Sequence, residues 1–150
     1  MIDATLPIGV FDSGMGGLTV LRALQAELPS ESFIYLGDSA RLPYGNKSIA
    51  TVQQYALQTS AALVDRGIKA LVVACNTASA AALPLLVEKY APLPVFGVIE
   101  PGAQAAAHAA CGSMVLVLAT EGTVMDGTYQ RALLACLLYT SPSPRDVEES

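Results

Sequence analysis

The chain is short of basic residues, of histidine and of long apolar runs, and each shortage removes a class of function. Eight Lys and Arg face thirteen Asp and Glu, for a net charge of −5, and the basic residues are scattered. A nucleic-acid binder needs a positive footprint to neutralise phosphates, so nucleic acid is not an expected partner. Hydrophobic residues make up 53% of the chain and the mean hydropathy is +0.48. Gly, Pro, Asp and Asn nevertheless interrupt every apolar block well before the roughly 18 residues that a spanning helix requires. The start of the chain carries Asp3 where a secretory signal would be basic, with no apolar stretch behind it. A cytoplasmic location without a membrane partner is expected.

Three cysteines, Cys75, Cys111 and Cys136, are odd in number and widely spaced, which suits neither a disulfide framework nor a paired-cysteine metal site. Reduced thiols and no metal are expected. His108 is the sole histidine and lies in an Ala-rich segment, where it reads as a surface or packed helix residue. A thiol–imidazole couple of the acyl-transfer kind therefore has no evident second member.

What is present is a pattern repeated five times: a short apolar run, a turn rich in Gly, Asp, Asn or Pro, then a stretch with helical spacing. The runs Ile8 to Phe11, Phe33 to Leu36, Ala70 to Ala74, Val95 to Val98 and Met114 to Leu118 predict strands. Their apolar residues are consecutive rather than alternating, as in strands covered on both faces. The fold class is α/β, an open parallel sheet with helices on both faces. Helices are predicted over Leu18 to Leu28, from an N-cap at Ser48 to Arg66 with Gly67 as the stop, and over Thr77 to Tyr90 with Pro84 as a kink. A further helix opens with Pro101 in its first turn, and a last one runs over Thr123 to Leu134. The amphipathic stripe Val52, Tyr55, Ala56, Thr59 and Leu63 should face the sheet. From Cys136 the helical pattern breaks and runs into Pro142 and Pro144, and the segment reads as an in-frame translation of a sequencing-library adapter. Residues 136–150 are therefore expected to be a non-native tail, and Cys136 is given no chemical role.

Open α/β sheets bind ligands beyond the carboxyl ends of their strands. Four such positions carry polar residues: Asp12-Ser13-Gly14-Met15-Gly16-Gly17, Asp38 with Pro43-Tyr44-Gly45, Cys75-Asn76-Thr77, and Thr120-Glu121-Gly122-Thr123. The first is not a dinucleotide fingerprint, since Thr19 stands where the third glycine belongs, and no Gly-Lys-Ser/Thr follows for a phosphate loop. A turn of this kind can be purely structural. Asp12 beside a hydroxyl and free N–H groups instead suits a small ligand carrying both charges, the N–H groups taking its carboxylate and Asp12 its ammonium. Cys75 has two readings, core filler or reactive thiol. Its place between a strand end and the start of a helix favours the second. Without imidazole, direct acid–base work by the thiol is the role left to it. Cys111 precedes the amino end of a strand and reads as structural.

Phe11-Asp12-Ser13-Gly14-Met15-Gly16-Gly17-Leu18-Thr19-Val20, Pro43-Tyr44-Gly45-Asn46-Lys47-Ser48, Ala74-Cys75-Asn76-Thr77-Ala78-Ser79 and Ala119-Thr120-Glu121-Gly122-Thr123-Val124, in this order, resemble the bacterial glutamate racemases. The resemblance covers about Ile8 to Leu134. It implies interconversion of L- and D-glutamate without cofactor or metal, supplying D-glutamate for peptidoglycan. It gives Cys75 the part of one of two acid–base thiols, and Asp12, Ser13, Tyr44, Gly45, Asn76 and Thr77 the binding of substrate. Thr120 and Thr123 become further contacts, and Asp12 also takes part in moving the proton at Cys75. It further implies two α/β lobes, residues 1–98 forming the first and 99–135 opening the second, and a homodimer when full length. The family's Gly-Cys-Thr-His stretch, which holds the other thiol, has no counterpart here. This chain alone is expected to racemise poorly or not at all, and to be poorly soluble. A racemase for aspartate or another acidic substrate, and a non-catalytic binder of small anions, are the alternative readings.

Overall fold

The computed structural model describes residues 3–111 and 113–140. Four runs form strands: β1 (Ile8–Asp12), β2 (Phe33–Gly37), β3 (Ala70–Val73) and β4 (Val95–Gly97). All pair in parallel, in the order β2-β1-β3-β4. Parallel neighbours need a crossover between them, and α1 (Leu18–Glu27), α2 (Ile49–Val64) and α3 (Asn76–Tyr90) supply it. The expected open α/β sheet is thus the observed architecture. After β4 comes α4 (Ile99–Ala110), with Pro101 in the first turn, where its missing N–H deprives the helix of no bond.

Alternation along the strands decides which helix covers which face. Phe11, Leu71 and Val73 point into a core with Val52, Ala56 and Leu63 of α2 and Ala78, Ala82 and Leu86 of α3. Ile8, Val10, Val72 and Ala74 point the other way, toward Val20, Leu21 and Leu24 of α1. Two covered faces explain why the strands read as unbroken apolar runs. The stripe predicted on α2 is the buried one, with Tyr55 packed half-buried at its margin. Ser48 caps α2 by accepting the Thr51 N–H at 3.2 Å. Gly67 follows the helix at φ +74°, a conformation that costs glycine nothing. The helix itself ends at Val64, short of Arg66. Among the described residues no helix is long and apolar enough to cross a membrane.

The sequence reading departs from the fold toward the end of the chain. Met114 to Leu118, expected as a fifth strand, pairs with no neighbour among the described residues, and Met114, Leu116 and Leu118 are largely exposed. A β-run takes its structure from its ladder partners more than from its own propensity, and here it has none. The single helix expected over Thr123 to Leu134 is two, α5 (Glu121–Asp126) and α6 (Thr128–Thr140). Gly127 enters the left-handed region at φ 70° and closes α5. Helix α6 continues through Cys136, where the pattern was expected to break. Pro142 and Pro144 lie outside the described residues.

Candidate functional site

The strand order reverses between β1 and β3: from β1 the chain moves outward to β2 on one side, then crosses to β3 on the other. The connections leaving β1 and β3 diverge, and open a crevice beyond their carboxyl ends. Asp12 closes β1 and is followed by Ser13, while Cys75 stands two residues beyond β3.

Asp12 is 4% exposed, so its carboxylate needs hydrogen-bond donors to offset the loss of water. It finds three, all at Oδ2: the N–H groups of Gly14 (3.1 Å) and Gly17 (2.9 Å) and the hydroxyl of Tyr35 (3.2 Å). This corrects part of the sequence reading. Two of the N–H groups expected to receive a ligand's carboxylate are committed to Asp12 itself. Gly17 has to be glycine for this arrangement, since a Cβ there would stand 2.7 Å from Asp12 Cβ and 2.9 Å from Ala74 Cβ.

Cys75 is the N-cap of α3, with extended backbone (φ −89°, ψ 123°), and its Sγ accepts the Ala78 N–H at 3.4 Å. A sulfur here does what a Ser or Asp oxygen does at most helix starts. The same Sγ donates to Ser13 Oγ at 3.2 Å. The thiol is 7% exposed. An N–H donor, the positive end of α3 and a rotatable hydroxyl thus converge on one sulfur. Those are the groups that accommodate a charge coming and going on a thiol.

A second polar group lies next along α3. The hydroxyls of Thr77, Thr120 and Thr123 form a triangle, with Thr77–Thr120 at 3.1 Å, Thr120–Thr123 at 2.9 Å and Thr123–Thr77 at 3.4 Å. Gly45 presses against this triangle: a Cβ on it would fall 2.4 Å from Thr120 Cγ2. A cleft of about 380 Å³ is lined by Asn76, Thr77, Thr120, Thr123 and Tyr129, among others, but not by Asp12, Ser13 or Cys75.

The predicted residues therefore fall into two clusters joined through Asn76 and Thr77. Asp12, Ser13 and Cys75 form one, and Thr77 with Thr120, Thr123 and Gly45 the other. Tyr44 joins neither through its side chain. Its ring is buried against Phe11 and Tyr55, and its hydroxyl donates to Asp38 Oδ2 at 2.5 Å. Burial, then the bond to Asp38, raises its pKa above the ordinary phenol value. Asp38 also binds Arg41 Nε at 2.6 Å, and this bond raises the guanidinium pKa further. Tyr44 thereby anchors the loop that presents Gly45. Asn76 is exposed, and its Oδ1 accepts the Tyr129 hydroxyl at 2.5 Å.

His108 is exposed on α4, the surface one of the two placements expected for it. Cys111 is exposed as well, a left-handed C-cap residue at φ 46°. Among the described residues, no three His, Cys, Asp or Glu side chains form a group that could hold a metal. The residue that the sequence reading missed is Tyr35. Inside an apolar strand a tyrosine reads as core, and only the pairing of β2 with β1 carries its hydroxyl to Asp12. Burial, with the Asp12 charge second, pushes its phenol up to about 12.

The family model for Asp/Glu/hydantoin racemases matches residues 10–150. The chain belongs to this family. Within it, the chain is 53% identical over 131 residues to the glutamate racemase of Thermus thermophilus, covering 87% of this chain and 49% of that protein. Among solved structures, the Thermus thermophilus glutamate racemase in complex with beta-chloro-D-alanine matches with a TM-score of 0.78 at 52% identity, over 87% of this chain and 50% of the other. The Francisella tularensis glutamate racemase in complex with D-glutamate also matches at 0.78, with 41% identity over 88% and 49%. The chain thus spans about half the length of the family members it matches, and over that half it is glutamate-racemase-like in sequence and fold.

Proposed function

We propose that this chain carries one catalytic half of a cofactor-independent glutamate racemase, with Cys75 as one of two acid–base thiols. The observation that carries this reading is the sulfur of Cys75 at the head of α3, held between the Ala78 N–H and the Ser13 hydroxyl. The Cys75 thiolate removes the Cα proton of glutamate and becomes a thiol. A second thiol, contributed by the rest of the protein, protonates the planar carbanion from the opposite face and becomes a thiolate. Two groups are required because one base returning its own proton to the same face gives no inversion.

Asp12 and Ser13 on one side and Gly45, Asn76 and Thr77 on the other hold the substrate's amino and carboxylate groups, with Thr120 and Thr123 behind them. Tyr44 contributes by fixing the loop of Gly45. Residues 1–98 form the first lobe and 99–135 the start of a second, with the site between them, in a cytoplasmic homodimer that provides D-glutamate for peptidoglycan. Residues 136–150 are a non-native tail. The family relationship and the bound D-glutamate of the Francisella tularensis relative support the choice of substrate.

The test uses the full-length protein, residues 1–135 continued through the half that the relatives add. Incubated with L-glutamate in D₂O, it should yield D-glutamate with deuterium at Cα, and Cys75→Ser should abolish the conversion. Absence of deuterium at Cα ends the proposal, and turnover of aspartate without glutamate transfers it to the other acidic substrate. For this chain by itself, the expectation is weak racemisation or none.

A further inference from the structure

We propose that Tyr35 is a positioning residue for proton transfer at Cys75, its hydroxyl pinning the Asp12 carboxylate and the Gly14 carbonyl together and so holding Ser13 against the sulfur. The inference rests on the catalytic reading of Cys75 given above.

Strand register brings the phenol there. Tyr35 is the partner of Val10, two residues before Asp12, so Val10 and Asp12 share a face of β1 and the long side chain of Tyr35 reaches along that face to the strand's end. Its hydroxyl lies 3.2 Å from Asp12 Oδ2 and 3.0 Å from the Gly14 carbonyl oxygen, so its single proton is shared between the two acceptors in a three-centre bond. Those two acceptors flank Ser13, and Ser13 is the residue whose hydroxyl meets Cys75. One side chain on β2 therefore restrains both neighbours of the residue in contact with the sulfur.

A second contact from β2 clamps the same peptide. A Cβ on Gly37 would lie 2.3 Å from the Gly14 oxygen, so the loop rests on β2 at a distance that only glycine allows. With its phenol pushed up to about 12, Tyr35 keeps its proton over the working range and acts as a donor, not as a base. Its bond to a buried carboxylate is of the charge-assisted kind. Among the described residues the hydrogen bonds to Asp12's carboxylate fall on Oδ2. Removing the Tyr35 hydroxyl leaves Asp12 Oδ2 held by the Gly14 and Gly17 N–H groups alone and takes a restraint from the Gly14 carbonyl, so the peptide gains room to lift and carry Ser13 away from Cys75.

The experiment compares wild type and Tyr35→Phe in the full-length protein, at a temperature where circular dichroism shows both folded. The loss of a hydrogen bond to a charged group should lower kcat by about tenfold or more, with KM changing by less than about threefold. The pH profile of Cys75 alkylation by iodoacetamide, read by peptide mass spectrometry, should shift. Replacing Tyr35 with 4-aminophenylalanine, which keeps a donor at the end of the ring, should restore most of the lost rate. A merely structural role would lower the melting temperature and leave the alkylation profile in place.

Wild-type kcat and alkylation profile in Tyr35→Phe would overturn the proposal, and so would 4-aminophenylalanine performing no better than Phe. If Tyr35→Phe does not fold, Gly37→Ala displaces the same carbonyl and should reproduce both effects, and its failure to do so counts equally against the proposal. If the wild-type protein does not racemise glutamate, the functional reading fails independently, and the Cys75 alkylation profile still decides the role of Tyr35.

Discussion

The sulfur of Cys75 and the hydroxyl of Ser13 stand 3.2 Å apart although 62 positions separate them in the chain. The contact exists because β1 and β3 are adjacent and parallel, with Phe11 level with Val73, so that the residues leaving both strands meet at one sheet edge. Ser13→Ala in the full-length protein removes the side-chain oxygen that, among the described residues, is hydrogen-bonded to the sulfur. It is expected to lower kcat by about five- to thirtyfold, the equivalent of about 1–2 kcal/mol, with little change in melting temperature. Steady-state kinetics in both directions check this, and an unchanged kcat would separate Ser13 from the proton transfer.

Cys75 has two roles that substitution can separate. As the N-cap of α3, its sulfur can be replaced by the oxygen of serine, which caps well, so Cys75→Ser should keep wild-type stability while losing catalysis. Cys75→Ala, with no cap atom, should be less stable by about 1 kcal/mol. Urea denaturation of the two full-length variants makes the comparison, and equal midpoints would mean that the Ala78 N–H bond contributes nothing.

Gly45 and Thr120 offer a steric test. A methyl group at position 45 would overlap Thr120, with 2.4 Å to Cγ2 and 2.5 Å to Cβ. Gly45→Ala should therefore push the loop of Tyr44–Asn46 away from the threonine triangle. Overpacking of this kind costs about 1–3 kcal/mol. If the two loops hold substrate, KM should rise more than kcat falls, and a variant with wild-type KM would remove Gly45 from the substrate site.

Tyr35 and Tyr44 make stability depend on alkaline pH with a defined sign. Both phenols are raised in the folded state, Tyr35 to about 12 and Tyr44 further still, chiefly because burial disfavours the phenolate. Below pH 10, the ordinary phenol value, both states are protonated and the contribution is fully present. Above it the unfolded chain ionises first, so stability is lost as pH rises from 10 toward 12 and beyond. Denaturation midpoints measured from pH 8 to 12 should fall in that window, and less steeply in Tyr35→Phe. A wild-type midpoint that is flat across the window would contradict the burial of these rings.

Much of this molecule is written locally. The runs Ile8 to Phe11 and Ala70 to Ala74 are apolar without interruption because both sheet faces are covered, and Ser48 marks the start of α2 and Gly67 the turn just beyond its end by chemistry that needs no tertiary context. The residues at strand ends could likewise be singled out, since a parallel sheet collects its loops at one edge wherever its strands lie. What escaped was whatever depends on a partner distant in sequence. Met114 to Leu118 has the composition of a strand and no neighbour to make it one. The helix expected over Thr123 to Leu134 is divided at Gly127. The bond from the Tyr44 hydroxyl to Asp38 likewise could not be read from the residues beside it.

Sequence by itself thus determined the α/β class, the helix caps and the identity of Cys75 as the thiol at a helix start, because hydrophobic periodicity and capping are short-range effects. Tertiary structure alone decided that Asp12 turns its Oδ2 inward to two glycine N–H groups and a tyrosine, and that Ser13 meets the sulfur. Those contacts follow from strand order and register, which arise when separate segments bury their apolar faces against one another.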